Sequence, residues 1–279
     1  MARGKYPAGK MPPFVMGFEA AGIVVETGER VSHIKVGDRV TAIVSSGGYA
    51  EYATADAALT IPIPPGVSYE EATTIPVQGL SAYALLKLAA RPQSHESLLI
   101  QSAAGGVGLY LVQLAKLLKV GQVIALAGSP EKLQLLRELG ADAAIDYGNP
   151  AWATQVRNAT NGKGVDVVLE QASGEVGDLS FRLAAPFGRI VLFGAKNIHD
   201  TFPPEKIRQV IYKNQTVIGF NLPSVPPEQI ARCVPSLLKW IADGRLRMFA
   251  NQSFPLSEVR AAFEAFSSRK TVGKIVLIP

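Results

Sequence analysis

Leu98-Leu99-Ile100-Gln101-Ser102-Ala103-Ala104-Gly105-Gly106-Val107-Gly108-Leu109, continuing through Lys116, decides the fold. Leu98 to Gln101 reads as a short apolar strand and a glycine-rich turn follows it. Leu109 to Leu118 is apolar almost all round, as a buried helix is. The turn fits G-x-G-x-x-G with Ala103 in the first glycine place. Glycines there let the backbone approach a pyrophosphate closely, and the free N–H groups at the start of the helix bind its charge. Gly105, Gly106, Val107 and Gly108 are therefore candidate ligand contacts. The bare pattern also occurs where glycines serve packing alone, so its weight comes from lying between a buried strand and a buried helix.

The surrounding chain supplies that context. Leu80 to Ala90 suits a helix, and downstream come the strand Val123–Leu126 and a helix entered through Ser129-Pro130-Glu131. Serine before proline and an acid combines a cap, a fixed φ and a favourable dipole partner. Leu133, Leu136 and Leu139 mark the buried stripe, and Gly140 can supply a left-handed C-terminal residue. Strands at 143–145, 165–169, 189–193 and 216–220 then alternate with helices at 150–160, 178–184 and 204–212. Apolar strands alternating with helices predict a doubly wound parallel sheet, and six strands is the count of a full dinucleotide-binding fold.

Residues 17–63 have a different texture: GIVVE, RVTAIV, YAEYAT and ALTIPI are short alternating runs separated by turn residues, which predicts antiparallel strands. After Phe220, three prolines form a stiff connection. A helix at 228–243, another at 256–266 and a last strand at 273–278 close the chain.

Composition narrows the class. The 279 residues are 48% hydrophobic and 18% charged, enough for a large core and unlike a disordered chain. The one cysteine, Cys233, cannot form an internal disulfide or a thiolate cluster, which points to a reducing cytoplasm. No apolar run is long enough to cross a bilayer, and the basic N-terminus lacks the apolar stretch of a secretory signal. The net charge of +5 comes from scattered lysines and arginines, so no nucleic-acid or membrane partner is expected.

Cofactor choice is read at the end of the second strand, where NAD enzymes place an acid for the ribose hydroxyls. Here the stretch is Ala127-Gly128-Ser129. Ser129 can hydrogen-bond a 2′-phosphate and Lys132, one turn on, can pair with it, which favours NADPH. Ser129 as a plain helix cap and Lys132 as a solvated side chain is the competing reading.

Gly17-Phe18-Glu19-Ala20-Ala21-Gly22, Val36-Gly37-Asp38-Arg39-Val40, Gly48-Tyr49-Ala50-Glu51-Tyr52, Gly79-Leu80-Ser81-Ala82-Tyr83 and Gly273-Lys274-Ile275-Val276-Leu277 join the glycine-rich turn in one order. Together they resemble the medium-chain dehydrogenase/reductase superfamily, and its quinone oxidoreductase branch in particular. The resemblance implies a Rossmann domain at 76–220, set into a smaller GroES-like β domain built from 1–75 and completed by 221–279. It implies contacts of Gly128, Ser129, Lys132 and Tyr147 with the adenosine phosphate, with Tyr147 as an ordinary strand-end tyrosine as the alternative. Phe193-Gly194-Ala195 and Phe220-Asn221-Leu222 would lie beside the nicotinamide. Lys274 matches a basic position near the cofactor, or is simply a charged strand residue. A homodimer formed by sheet extension is implied as well.

Zinc members of the superfamily have Gly-His-Glu where this chain has Gly17-Phe18-Glu19, and phenylalanine cannot ligate. Catalytic zinc needs three protein ligands, and His33, His95 and His199 are isolated in sequence, so no metal is expected. Relatives also begin with several more strands before the segment equivalent to Arg3–Pro7; a fragment, a shortened natural form or a gene model begun at an internal methionine would each account for this. The resemblance implies NADPH-dependent reduction of a quinone or conjugated enone. Enoyl-thioester reduction and non-catalytic NADPH binding are the alternatives. Tyr49 and Tyr52 qualify as proton donors by residue type only.

Overall fold

The computed structural model describes residues 13–194, 203–268 and 270–279. They divide into two compact units, one of described residues within 13–80 and 225–279 and the other of described residues within 81–224.

The first unit begins with three antiparallel strands, β1 (Glu19–Ile23), β2 (Arg39–Ile43) and β3 (Thr60–Pro62), in that spatial order. Thr41, fully buried, has its one hydroxyl hydrogen shared between the carbonyls of Ala20 (3.1 Å) and Ala72 (3.0 Å), so its donor is satisfied inside the unit. The YAEYAT segment makes no strand: residues 51–56 are exposed, so its alternation has no face to bury. Helix α1 (Tyr69–Ala72) starts on a capping box, the Ser68 hydroxyl accepting from Glu71 N–H and the Glu71 carboxylate from Ser68 N–H. A π-turn over Ile75–Gly79 leads into α2 (Leu80–Ala84), and a second π-turn over Leu85–Ala90 follows. The helical run thus starts eleven residues before the expected Leu80, and the boundary between units falls at α2.

The second unit holds β4 (Ser97–Ile100), α3 (Gly106–Leu117), β5 (Gln122–Ala127), α4 (Pro130–Glu138), β6 (Ala143–Asp146), α5 (Trp152–Ala159), β7 (Val165–Glu170), α6 (Gly174–Leu183), β8 (Ala184–Leu192), α7 (Pro204–Tyr212) and β9 (Thr216–Gly219). The six strands form one parallel sheet in the order β6-β5-β4-β7-β8-β9, the doubly wound order with its switch point between β4 and β7. Leu98, Leu99, Ile100, Val123, Ile124, Val167 and Val168 are fully buried, because helices cover both faces.

Polar ties fix the register where apolar packing alone would allow slippage. Asp166 accepts from Ser97 N–H (2.8 Å) and Ser97 Oγ (2.7 Å), locking β4 to β7. Arg189 donates to Glu96 through both terminal nitrogens, at 3.0 and 2.5 Å, and through Nε to Ala90 O at 2.9 Å. Burial pushes the Glu96 carboxyl up, but the Arg189 hydrogen bonds and charge outweigh it and hold the group below the usual range. Lys213 Nζ caps the end of α6 by donating to Arg182 O (3.0 Å) and Ala184 O (2.9 Å).

The chain returns to the first unit through α8 (Pro227–Ala242), β10 (Gln252–Pro255), α9 (Val259–Ser267) and β11 (Ile275–Ile278). β10 and β11 pair in parallel. Among the described residues no helix is long and apolar enough to cross a membrane.

Candidate nucleotide site

Where β4 ends, Gln101 is buried and Ser102 turns the backbone into the left-handed region, with φ +47. Ala103 N–H then donates to Leu126 O (2.9 Å) and Gly105 N–H to Ser102 O (2.9 Å), closing a tight turn against β5. The left-handed residue is therefore Ser102, which is why alanine serves at the first glycine place. Gly105 is the extended N-cap of α3 and no side chain caps the helix, so the first-turn N–H groups of Gly106, Val107 and Gly108 lack intrahelical partners. At Gly108 a Cβ would sit 2.5 Å from Ala103 O and 2.6 Å from Ala103 Cα and from Ser102 O. Only glycine lets α3 approach the turn this closely. Donors aimed from an uncapped helix start over a glycine cradle fit the pyrophosphate of a dinucleotide.

The adjacent strand end carries the second part. Gly128 is exposed, and a Cβ on it would meet the Tyr147 hydroxyl at 2.7 Å, so the Tyr147 ring lies over the end of β5. Ser129 caps α4, its Oγ accepting from Lys132 N–H at 3.4 Å. Glu131 turns back to the same cap: hydrogen bonds from its own backbone N–H and from the Ser129 hydroxyl hold its carboxyl below the ordinary range. Gly128, Ser129 and the Tyr147 ring therefore meet at the carboxyl ends of β5 and β6, with Lys132 in the first turn of α4.

Phe193 is buried, its N–H donating to Glu170 O (3.0 Å), while Gly194 is exposed with φ +80. Ala195 lies outside the described residues, as do His199 and Arg3–Pro7. Phe220 N–H donates to Leu192 O (2.9 Å), Asn221 Nδ2 to Ser224 Oγ (3.2 Å), and Leu222 is buried. These positions end β8 and β9 on the same carboxyl edge of the sheet. Sequence reasoning missed two residues on that edge, Gln101 and Gln171. Their one visible signal is a glutamine at the carboxyl end of a strand, after Ile100 in one case and after Glu170 in the other.

Lys274 belongs to the other unit. Its Nζ pairs with Glu19 Oε2 and donates to Thr73 O at 2.8 Å, while Glu19 Oε1 accepts from Val77 N–H at 3.1 Å. The pair borders a cleft of about 790 Å³ with Tyr49, Tyr69, Phe263 and Phe266. Burial, and then the Glu19 charge, raise the Tyr49 phenol above its ordinary value, so it keeps its proton and can donate a hydrogen bond. Tyr52, by contrast, is 74% exposed. His33 is exposed on the surface, its Nε2 3.2 Å from Ala57 O. Among the described residues no three His, Cys, Asp or Glu side chains gather where they could hold a metal ion.

Comparison with known proteins agrees with this architecture. Residues 1–65 match the alcohol dehydrogenase GroES-like domain family, and residues 106–242 match the zinc-binding dehydrogenase family. The quinone oxidoreductase of Pseudomonas aeruginosa is 33% identical over 99% of this chain and 85% of its own. The chain belongs to the quinone oxidoreductase branch of the medium-chain dehydrogenase/reductase superfamily. As a member of this branch it also superposes on solved relatives. The Escherichia coli quinone oxidoreductase, solved in complex with NADPH, has a TM-score of 0.88 at 30% identity, covering 96% of this chain and 83% of that one. The CurK enoyl reductase has a TM-score of 0.85 at 32% identity, covering 95% and 80%. Within the branch, Phe18 between Gly17 and Glu19 brings a side chain with no lone pair for a metal.

Proposed function

We propose that the protein binds NADPH at the carboxyl edge of the parallel sheet and uses it to reduce a conjugated carbonyl acceptor, a quinone or an enone. The observation that carries this reading is the cradle itself: an uncapped α3 start beside a β5 end that has Ser129 and Lys132 and no acid at 127–129. The NADPH complex of the E. coli relative supports the choice of nucleotide.

NADPH, when bound, supplies the hydride. The chain's part is to hold and orient it. First-turn N–H groups of α3 neutralise pyrophosphate charge, Ser129 and Lys132 meet the 2′-phosphate, and the ends of β8 and β9 bound the nicotinamide half. A conjugated acceptor takes hydride as a vinylogous system and needs only a proton donor or solvent besides. Tyr49 and Tyr52 are candidates for that donor by residue type only.

The CurK likeness favours a second reading, reduction of an enoyl thioester. NADPH oxidation measured with 1,2-naphthoquinone, an enone, crotonyl thioester and, in reverse, simple alcohols with NADP⁺ separates these. Turnover of quinone or enone supports the first reading, and thioester turnover well above both supports the second. Oxidation of simple alcohols without any conjugated-acceptor turnover overturns both, and NADPH binding with no turnover at all favours a non-catalytic role.

The domain reading, one nucleotide-binding unit and one substrate unit, belongs to the same proposal. So does a homodimer: β9 is the edge strand of its sheet, and Ile207, Ile211 and Tyr212 on neighbouring α7 are exposed. A cytoplasmic location, without nucleic-acid or membrane partners, completes it and rests on the single cysteine and the scattered charge.

A further inference from the structure

Strand β4 is apolar to its last residue, and the next, Gln101, is only 1% exposed. A carboxamide so placed must find partners. Its Oε1 accepts from two successive backbone donors across the switch point, Gln171 N–H at 3.1 Å and Ala172 N–H at 2.9 Å. Gln171 returns the contact, its Nε2 donating to Gln101 O at 3.1 Å. Two glutamines 70 residues apart thus cross-link the carboxyl ends of β4 and β7.

The latch leaves one atom pointing elsewhere. With Nε2 committed to Gln101 O, the Gln171 carboxamide has a fixed orientation, and its oxygen lies on the side of β8. A Cβ built on exposed Gly194 would be 3.4 Å from Gln171 Cβ and 3.8 Å from Gln171 Oε1. The acceptor therefore borders the strand end assigned above to the nicotinamide half. Packing alone is a poor account of the arrangement: Gln101 Nε2 is a buried donor with no partner among the described residues, and burying one is costly.

We propose that Gln171, oriented by Gln101, is a nucleotide-positioning residue whose Oε1 accepts a hydrogen bond from an N–H or O–H donor on the nicotinamide nucleoside. The proposal rests on the NADPH reading and deepens it, adding a contact to the nicotinamide half of the ligand, separate from the adenosine contacts at Ser129 and Lys132.

The test is calorimetric titration of the full chain with NADPH and with 2′,5′-ADP, which carries the adenosine phosphates and lacks the nicotinamide. Gln171→Leu removes the acceptor at similar size. Loss of one such bond should weaken NADPH by about tenfold, with 2′,5′-ADP changed by less than about twofold. Gln171→Met, flexible and of similar length, repeats the experiment should the leucine variant not fold. NADPH affinity unchanged, or an equal loss for both ligands, overturns the proposal and leaves the glutamines as a loop brace. Wild-type protein that binds neither ligand overturns the nucleotide reading itself.

Discussion

Gly108→Ala puts the nucleotide cradle under a defined load. The added methyl would lie at 2.5 and 2.6 Å from Ala103 O and Cα and at 2.6 Å from Ser102 O, all backbone atoms that cannot swing aside. Real Cβ contacts stay above about 3.0 Å, so α3 must withdraw from the turn by roughly half an ångström. Eight residues of α3 are buried and resist that shift. Overpacking of this kind costs about 1–3 kcal/mol, and alanine's better helix propensity offsets up to about 1 kcal/mol. With the full offset the net loss is about 0–2 kcal/mol, which in a unit of this size lowers Tm by up to roughly 8 °C. Withdrawal of the first-turn N–H groups should also weaken NADPH by more than about tenfold. Thermal melts with and without NADPH read both effects, because saturating ligand stabilises the wild type by about 2.7 kcal/mol at a hundredfold excess over Kd. Gly105→Ala, with a single contact at 3.2 Å, should fall between the two, and Gly28→Ala, with nothing within 4 Å, should melt like wild type. A Gly108→Ala protein that melts with the wild type and keeps its NADPH-induced shift refutes the close-approach argument.

Other outcomes follow from the same geometry. Lys132→Ala should weaken NADPH by roughly 10–100-fold, the worth of a charge-assisted bond to phosphate, and leave NADH unchanged, as fluorescence titration with both nucleotides would report. Glu131→Gln should act oppositely, tightening NADPH a few-fold, because it removes a carboxylate that competes with the 2′-phosphate for the Ser129 hydroxyl. Glu96 gives a pH signature. Its folded carboxyl titrates below the unfolded value of about 4.3, so its contribution is complete above that value and lost as pH falls through the lower folded one. Wild type should therefore exceed Glu96→Gln by about 1–2 kcal/mol near neutrality, with the gap closing only in melts taken at pH values below the unfolded one.

The sequence exposes the second unit well because each of its central strands is buried on both faces and so reads as a continuous apolar run. Val123–Leu126 and Val165–Leu169 lie inside the observed β5 and β7. The first unit is less legible. Tyr49–Thr54 alternates like a strand yet makes none. β10, only Gln252–Pro255, is too short and too polar to stand out. The early start of the helical run has a local signal, the Ser68–Glu71 capping box, but the π-turns that carry it onward have none.

At the site, the glycine cradle and the Ser129 cap are local features and can be read along the chain. Gln101 with Gln171 and Glu19 with Lys274 cannot, because topology alone joins residues 70 and 255 positions apart. Lys274 illustrates the difference: its partners Glu19 and Thr73 O lie 255 and 201 positions away in the chain.

The most direct test of the central claim is isotopic. NADPH deuterated on the transferred face of its nicotinamide is incubated with the protein and an α,β-unsaturated ketone, and the product is weighed by mass spectrometry. Hydride transfer to a conjugated carbonyl predicts a saturated ketone carrying one deuterium at the β carbon, formed faster from NADPH than from NADH. A product lacking the label, or a labelled alcohol from reduction at the carbonyl carbon, would contradict it.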